Sequence, residues 1–188
     1  MNKIEKLVYD TVKKNQHVKR AIRNIYQTTF DILPDKKNYS KNPIHVKEGY
    51  FYGFHDVTPF SFDDTKLLAN GLTIPFKMPL ASEGLNLGYF EMENGQLGNY
   101  VHIGDSYAWN YHKGCRLQWL DKHRVIYNDV VDEKVLVSKI VDIETKEATL
   151  IPFPIDSVSG DGAYAATFNY GRLERFMPGY GYHNYAED

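Results

Sequence analysis

Three stretches of the chain echo one another: YGFHDVTPFSFDDTKLLANGL at 52–72, GCRLQWLDKHRVIYNDV at 114–130 and PIDSVSGDGAYAATFNY at 154–170. Each reads as strand-forming residues, a short turn built on an aspartate, and a second strand-forming run. The turn aspartates are Asp63, Asp121 and Asp161, separated by 58 and then 40 residues. A repeat of that length holding about four short strands restricts the chain to antiparallel sheets that bury their faces on one another.

The flanking sequence agrees. From residue 44 onward, segments rich in Val, Ile, Tyr, Phe and Thr alternate with turn clusters, and aromatics make up 14% of the chain, a composition that favours strands. LNLGYFEMENGQLGNYVHI reads as a hairpin turning at Asn94-Gly95, a strong short-range signal. KVLVSKIVDIETKEATLIPF reads as two strands around Glu-Thr-Lys. The longer first interval contains TIPFKMPLASEG (73–84), where Pro75 and Pro79 predict a loop inserted in the first unit. The expected fold is mainly β: a partial β-propeller of about two to three four-stranded antiparallel blades over residues 44–188. Such an array reads as the N-terminal part of a longer propeller, and its open blade edges invite self-association.

Ahead of the strands, residues 1–34 form a different domain. Seven Lys and Arg residues stand against Glu5 and Asp10 in the first 30 positions, a net charge of +5 on a chain whose total is −2, leaving −7 on the remainder. At 100° per residue, Ile4, Leu7, Val8, Val12, Val18, Ile22, Ile25 and Tyr26 share an arc of about 140°, with Lys3, Lys6, Lys13, Lys14, Arg20 and Arg23 outside it. This predicts an N-terminal amphipathic α-helix that stops at DILPD, because Pro34 cannot continue it. Its apolar stripe suits docking on the body or a partner helix. Alternatively, residues 1–26 make peripheral contact with an anionic membrane.

FSFDDTKLL and VSGDGAYAA resemble degenerate forms of the Ser-Pro-Asp-Gly phrase of WD40-like, TolB-type β-propeller repeats. Phe62 and Thr65 stand where the family has Pro and Gly in the first repeat, and Gly160 replaces Pro in the third. YGFHDVTPFS, GCRLQWL, VIYND and RLERFMPGYGY, in that order, resemble bacterial propellers related in repeat style to oligogalacturonate lyases. The likeness spans residues 48–182 and implies polysaccharide handling. Those lyases hold a metal with His and Gln residues spread over several blades. His17, His45, His55, His102, His112, His123 and His183 show no ligand spacing that matches, so no metal and no cofactor are expected.

Residue chemistry nominates a short set of ligand-binding candidates. His55, following an aromatic stretch, could act as a base oriented by Asp56, or the pair could tie neighbouring blades. Arg116 and Gln118 alternate with Leu117 and Trp119 on an expected strand, so both polar groups share a face. There Arg116 could take an acidic sugar bidentately or bond to the next blade. Arg172, Arg175 and Tyr180, in an Arg- and Tyr-rich stretch, suit stacking on a sugar. Asn128-Asp129 reads as a turn closing its strand.

No nucleophile triad, phosphate loop or paired-carboxylate motif appears, and the acidic body argues against nucleic acid. Cys115, the single cysteine, reads as a buried structural residue that cannot pair within the chain. With no membrane-length apolar run and no secretory leader, a cytoplasmic location is expected. Two functions fit. The first is a non-catalytic binding or scaffold protein with an acidic glycan or protein partner, placed at the cytoplasmic membrane face. The alternative is a polysaccharide lyase with part of its site in further blades.

Overall fold

The computed structural model describes residues 15–32, 40–42, 44–75 and 77–185. The chain divides into two compact units, 1–44 and 45–188. Within the first, helix α1 spans Gln16–Asp31. Asn15 caps it: its side-chain oxygen accepts from the His17 and Val18 amides at 3.0 and 3.3 Å, satisfying two of the donors every helix start leaves open. Ile22, Ile25, Tyr26, Phe30 and the adjoining Ile32 are exposed. The expected helical turns before residue 15 lie outside the described residues. Among the described residues no helix is long and apolar enough to cross a membrane.

The second unit is a succession of antiparallel sheets whose strands neighbour one another in chain order. The first contains β1 (Tyr50–Phe51), β2 (Lys66–Gly71), β3 (Leu85–Glu93) and β4 (Gln96–Ser106). The next contains β5 (Gln118–Trp119), β6 (Arg124–Val131), β7 (Val135–Asp142) and β8 (Ala148–Ile151). A two-stranded pair, β9 (Ser157–Val158) and β10 (Ala165–Ala166), follows. None of the sheets is closed. As expected, β3 and β4 turn at Asn94-Gly95, both with positive φ (51° and 75°), and Lys146 (φ 64°) lies in the turn before β8. The described residues of 73–84 form no strand.

The first and third copies of the echo are the same turn, and the middle copy is a shorter relative of it. Ser61 and Ser159 occupy equivalent positions: each amide donates to the carbonyl five residues on (Lys66, 2.9 Å; Tyr164, 2.8 Å) and each hydroxyl donates to the aspartate two residues on (Asp63, 2.7 Å; Asp161, 2.6 Å). The same carboxylates accept the amides of Thr65 (3.1 Å) and Ala163 (3.0 Å). Asp64 and Gly162 take the left-handed residue of the turn, with φ of 56° and 70°. The middle turn is one residue shorter and has no serine. Leu120 donates to the Arg124 carbonyl at 2.9 Å, and Asp121 accepts from the His123 and Arg124 amides at 2.9 and 2.8 Å. In each repeat the aspartate joins the first strand pairing of a sheet to its second strand.

Burial follows the pleat. Leu85, Leu87 and Tyr89 alternate along β3 and pack with Val125, Tyr127 and Val141 of the second sheet. Trp109, Cys115 and Leu117, from the segment joining the sheets, complete this core. Gly114 is required where it is: it has φ 60°, and a Cβ there would meet the Asn70 amide at 2.8 Å.

After β10 the strands give way to a helix. Residues Tyr170–Phe176 form helix α2, capped by Asn169, whose side chain accepts from the Arg172 amide at 2.7 Å. A 3₁₀ turn at His183–Tyr185 follows. Tyr170 and Tyr182 stack at 4.3 Å and 7°, both nearly fully buried, and form a second apolar cluster with Ala108, Val130, Leu136 and Leu173. The two tyrosines thereby anchor this segment on β6 and β7 of the second sheet. Asn128 and Asp129 also depart from expectation: they lie inside β6, buried, rather than in a turn.

Candidate functional site

Where the segments leading into the sheets converge, an ion-pair knot and a strip of rings lie side by side. Arg116 is the centre of the knot. It is not on a strand as expected, since β5 covers only Gln118–Trp119 and Arg116 has φ 60°. That conformation costs a residue with a Cβ on the order of 1–3 kcal/mol and persists only when surroundings enforce it.

The surroundings do so through three elements. Arg116 donates both terminal nitrogens to Asp56, at 3.0 Å each, and its Nε to the Asp156 carbonyl at 2.6 Å. The Asp156 carboxylate also receives Lys113 Nζ at 2.7 Å and the Tyr170 hydroxyl at 3.2 Å. Gln118 donates to the carbonyls of Arg116 and Asp156, at 3.1 and 3.3 Å. Asp56 lies between β1 and β2 of the first sheet, Arg116 precedes β5 of the second and Asp156 precedes β9 of the third, so one guanidinium ties together segments of three consecutive sheets.

Electrostatics agree with the geometry. Partial burial works against charge on Asp56, but the hydrogen bonds and positive charge of Arg116 override it and hold the carboxyl below the usual range. Burial likewise opposes charge on Arg116, and Asp56 and Asp156 more than restore it. Burial and the Asp156 carboxylate push the Tyr170 hydroxyl well above the usual tyrosine range, so it serves as a donor.

Beside the knot runs a chain of ring contacts. His112 stacks on Tyr180 at 4.7 Å and 4°, Tyr180 meets Phe54 edge-on at 6.3 Å, and Phe54 lies 4.3 Å from His55. His55 and His112 are exposed, and Phe54 and Tyr180 are half-buried. Gly179, at φ 93°, keeps the approach to His112 open, because a Cβ there would sit 3.3 Å from the imidazole. His55 hydrogen-bonds to no other described residue, so the expected His55–Asp56 tie is made by Asp56 alone.

The structure therefore brings His55, Asp56, Arg116, Gln118 and Tyr180 into one region. Arg172 and Arg175 belong to α2 and form no part of the strip; Arg172 is exposed, and the Arg175 guanidinium lies 6.0 Å from the Phe176 ring. Sequence reasoning missed Lys113, Asp156, Phe54 and His112. Phe54 adjoins His55 in the chain and was within reach; Asp156 is 40 residues from Arg116 and was not. Among the described residues no group of three or more His, Cys, Asp and Glu could hold a metal ion.

No family model matches the chain, and no curated protein or solved structure matches it either.

Proposed function

We propose that this chain is a non-catalytic binding or scaffold protein of β-propeller type that holds a glycan against the His55–Phe54–Tyr180–His112 strip. The order of the sheets supports the propeller reading: two four-stranded meanders, then a hairpin, each with an aspartate turn leading into its second strand. The observation that carries the function is the division of labour at the candidate site. The charged groups best suited to chemistry are engaged with one another, while the rings beside them remain accessible. A sugar ring presents C–H faces to such rings and hydroxyls to imidazole nitrogens, and His55 and His112 are available to an acidic sugar.

The test is calorimetric titration with oligogalacturonate and with a neutral oligosaccharide of equal length, beside an ultraviolet lyase assay with and without chelator. Binding that disappears in Tyr180→Ala, with no unsaturated product, is the expected result. Absence of binding to both sugars overturns the glycan reading. Chelator-sensitive product, lost in a normally melting His55→Ala protein, establishes a lyase instead.

Helix α1 supplies a membrane contact in this proposal. Its exposed Ile22, Ile25, Tyr26 and Phe30 share a face flanked by Arg23, within a segment of net charge +5. Arg20→Gln with Arg23→Gln is expected to weaken sedimentation with phosphatidylserine vesicles by roughly 1 kcal/mol per charge at low salt. Unchanged sedimentation removes the membrane contact.

A further inference from the structure

The matching aspartate turns of the first and third repeats allow strand positions to be compared residue by residue. Superposing Ser61 on Ser159 places Thr65, Leu67 and Ala69 of the first repeat on Ala163, Ala165 and Thr167 of the third. In the first repeat these positions face β3: Leu67 and Ala69 pair with Phe90 and Gly88, and the Thr65 carbonyl accepts the Met92 amide at 2.8 Å. In the second, β6 pairs with β7 along its whole length. In both repeats the second strand is thus held on both edges.

The third repeat differs. Tyr164 and Ala166 turn their carbonyls toward β9, accepting the Ser159 and Asp156 amides at 2.8 and 2.7 Å. Peptide groups alternate along a strand, so those of Ala163, Ala165 and Thr167 point to the opposite edge. Among the described residues no strand pairs there. The residues at this edge are exposed, and Ala165 and Ala166 carry side chains too small to block approach. Beyond them, Thr167 and Phe168 form a groove of about 760 Å³ with Leu136, Phe153, Pro154 and Tyr170. Phe153 and Phe168 expose 65% and 51% of their surface and give the groove an uncovered apolar side, with Lys134 and Asn184 also in its lining.

We propose that the free edge of β10 is a strand-acceptor site. Its occupant is an extended peptide that pairs antiparallel to residues 163–167 and seats alternate apolar side chains in the adjoining groove. The repeat itself defines that chemistry. The strands received at the same position are β3 and β7, in which apolar residues such as Leu85, Leu87 and Tyr89, or Val135, Val137 and Val141, fall on one face. Main-chain hydrogen bonds supply the attraction, and the apolar side of the groove, Leu136, Phe153 and Phe168, selects the side chains.

The full chain is tested by hydrogen exchange, read by NMR, with a synthetic peptide of the β7 sequence VLVSKIVD and a control of equal composition in which the alternation is broken. The expected result is that VLVSKIVD alone slows exchange at the Ala165 and Thr167 amides, leaving Tyr164 and Ala166 unchanged. Ala165→Pro deletes an edge donor while sparing the β9 pairing, and is expected to weaken binding about tenfold or more with little change in melting. Exchange on the unsubstituted protein decides the matter if that variant misfolds. Unaltered exchange at millimolar peptide overturns the proposal, as does equal protection by both peptides. Concentration-dependent protection of Ala165 without peptide, accompanied by dimerisation in sedimentation, would assign the edge to a second copy and overturn the peptide occupant.

Discussion

The knot around Arg116 and the ring strip around Tyr180 share a neighbourhood and differ in almost every physical respect. In the knot a guanidinium whose side chain is 1% exposed spends its nitrogens on Asp56 and Asp156, and strained backbone is held in place by those bonds. In the strip, rings touch at van der Waals distance and two imidazoles face solvent. Chemically attractive residues are thus of two kinds: those committed to joining sheets, and those left over for a ligand. Residue type alone does not separate them; the partners do.

The sharpest way to break the distinction is Arg116→Met. Asp56 would lose its cation and Asp156 would keep only Lys113, and breaking a buried pair from one side typically costs about 3–5 kcal/mol. Chemical denaturation should show a loss of that order, and a loss under about 1 kcal/mol would mean that the knot is not what joins the sheets. Asp56→Asn is the next largest, at about 1–3 kcal/mol, because the guanidinium keeps one neutral acceptor and loses a charge. It also carries a pH signature. The folded-state pKa of Asp56 is depressed, so its contribution is fully present above the ordinary carboxylate pKa of about 4 and is lost as pH falls through the lower folded value. Asp56→Asn should therefore flatten the acid limb of a stability-against-pH curve, and an unchanged limb would assign that limb to other carboxylates.

The strip is expected to respond in the opposite sense. His55→Ala and Tyr180→Ala should change stability little, by about 0.5 kcal/mol or less for exposed His55 and somewhat more for half-buried Tyr180. Both should nonetheless weaken glycan binding in the titration proposed above. A His55→Ala protein that melts as poorly as Asp56→Asn would place His55 in the knot after all.

Local features were legible because they are written in neighbouring residues. Ser61 with Asp63, Ser159 with Asp161, and Asn94 with Gly95 are side chain and backbone acting within a few positions, and each turn formed as read. What escaped was set by distance or by competition. The Arg116–Asp156 contact joins segments 40 residues apart, and no spacing rule announces a bond between sheets. The left-handed Arg116 backbone is imposed by tertiary partners against local preference. Helix α2 carries a local signal, Asn169 in a capping position ahead of Leu173 and Phe176, that the sequence reading missed. Asn128 looked like a turn residue because asparagine usually is one. Inside β6 its amide instead donates to the Ile155 carbonyl and the Tyr182 hydroxyl, at 2.7 and 2.6 Å.

Cys115 is sealed in the core between the first two sheets, its sulfur 3.7 Å from the Asn70 side-chain oxygen, and burial pushes its thiol up to about 12. A thiol so protonated and enclosed is inert until the seam around it opens. The rate at which a thiol reagent labels this one position is then a clock for separation of the two sheets. Run in the Asp56→Asn and Tyr180→Ala proteins, that clock would time how firmly each change leaves the seam shut, with no cysteine introduced for the purpose.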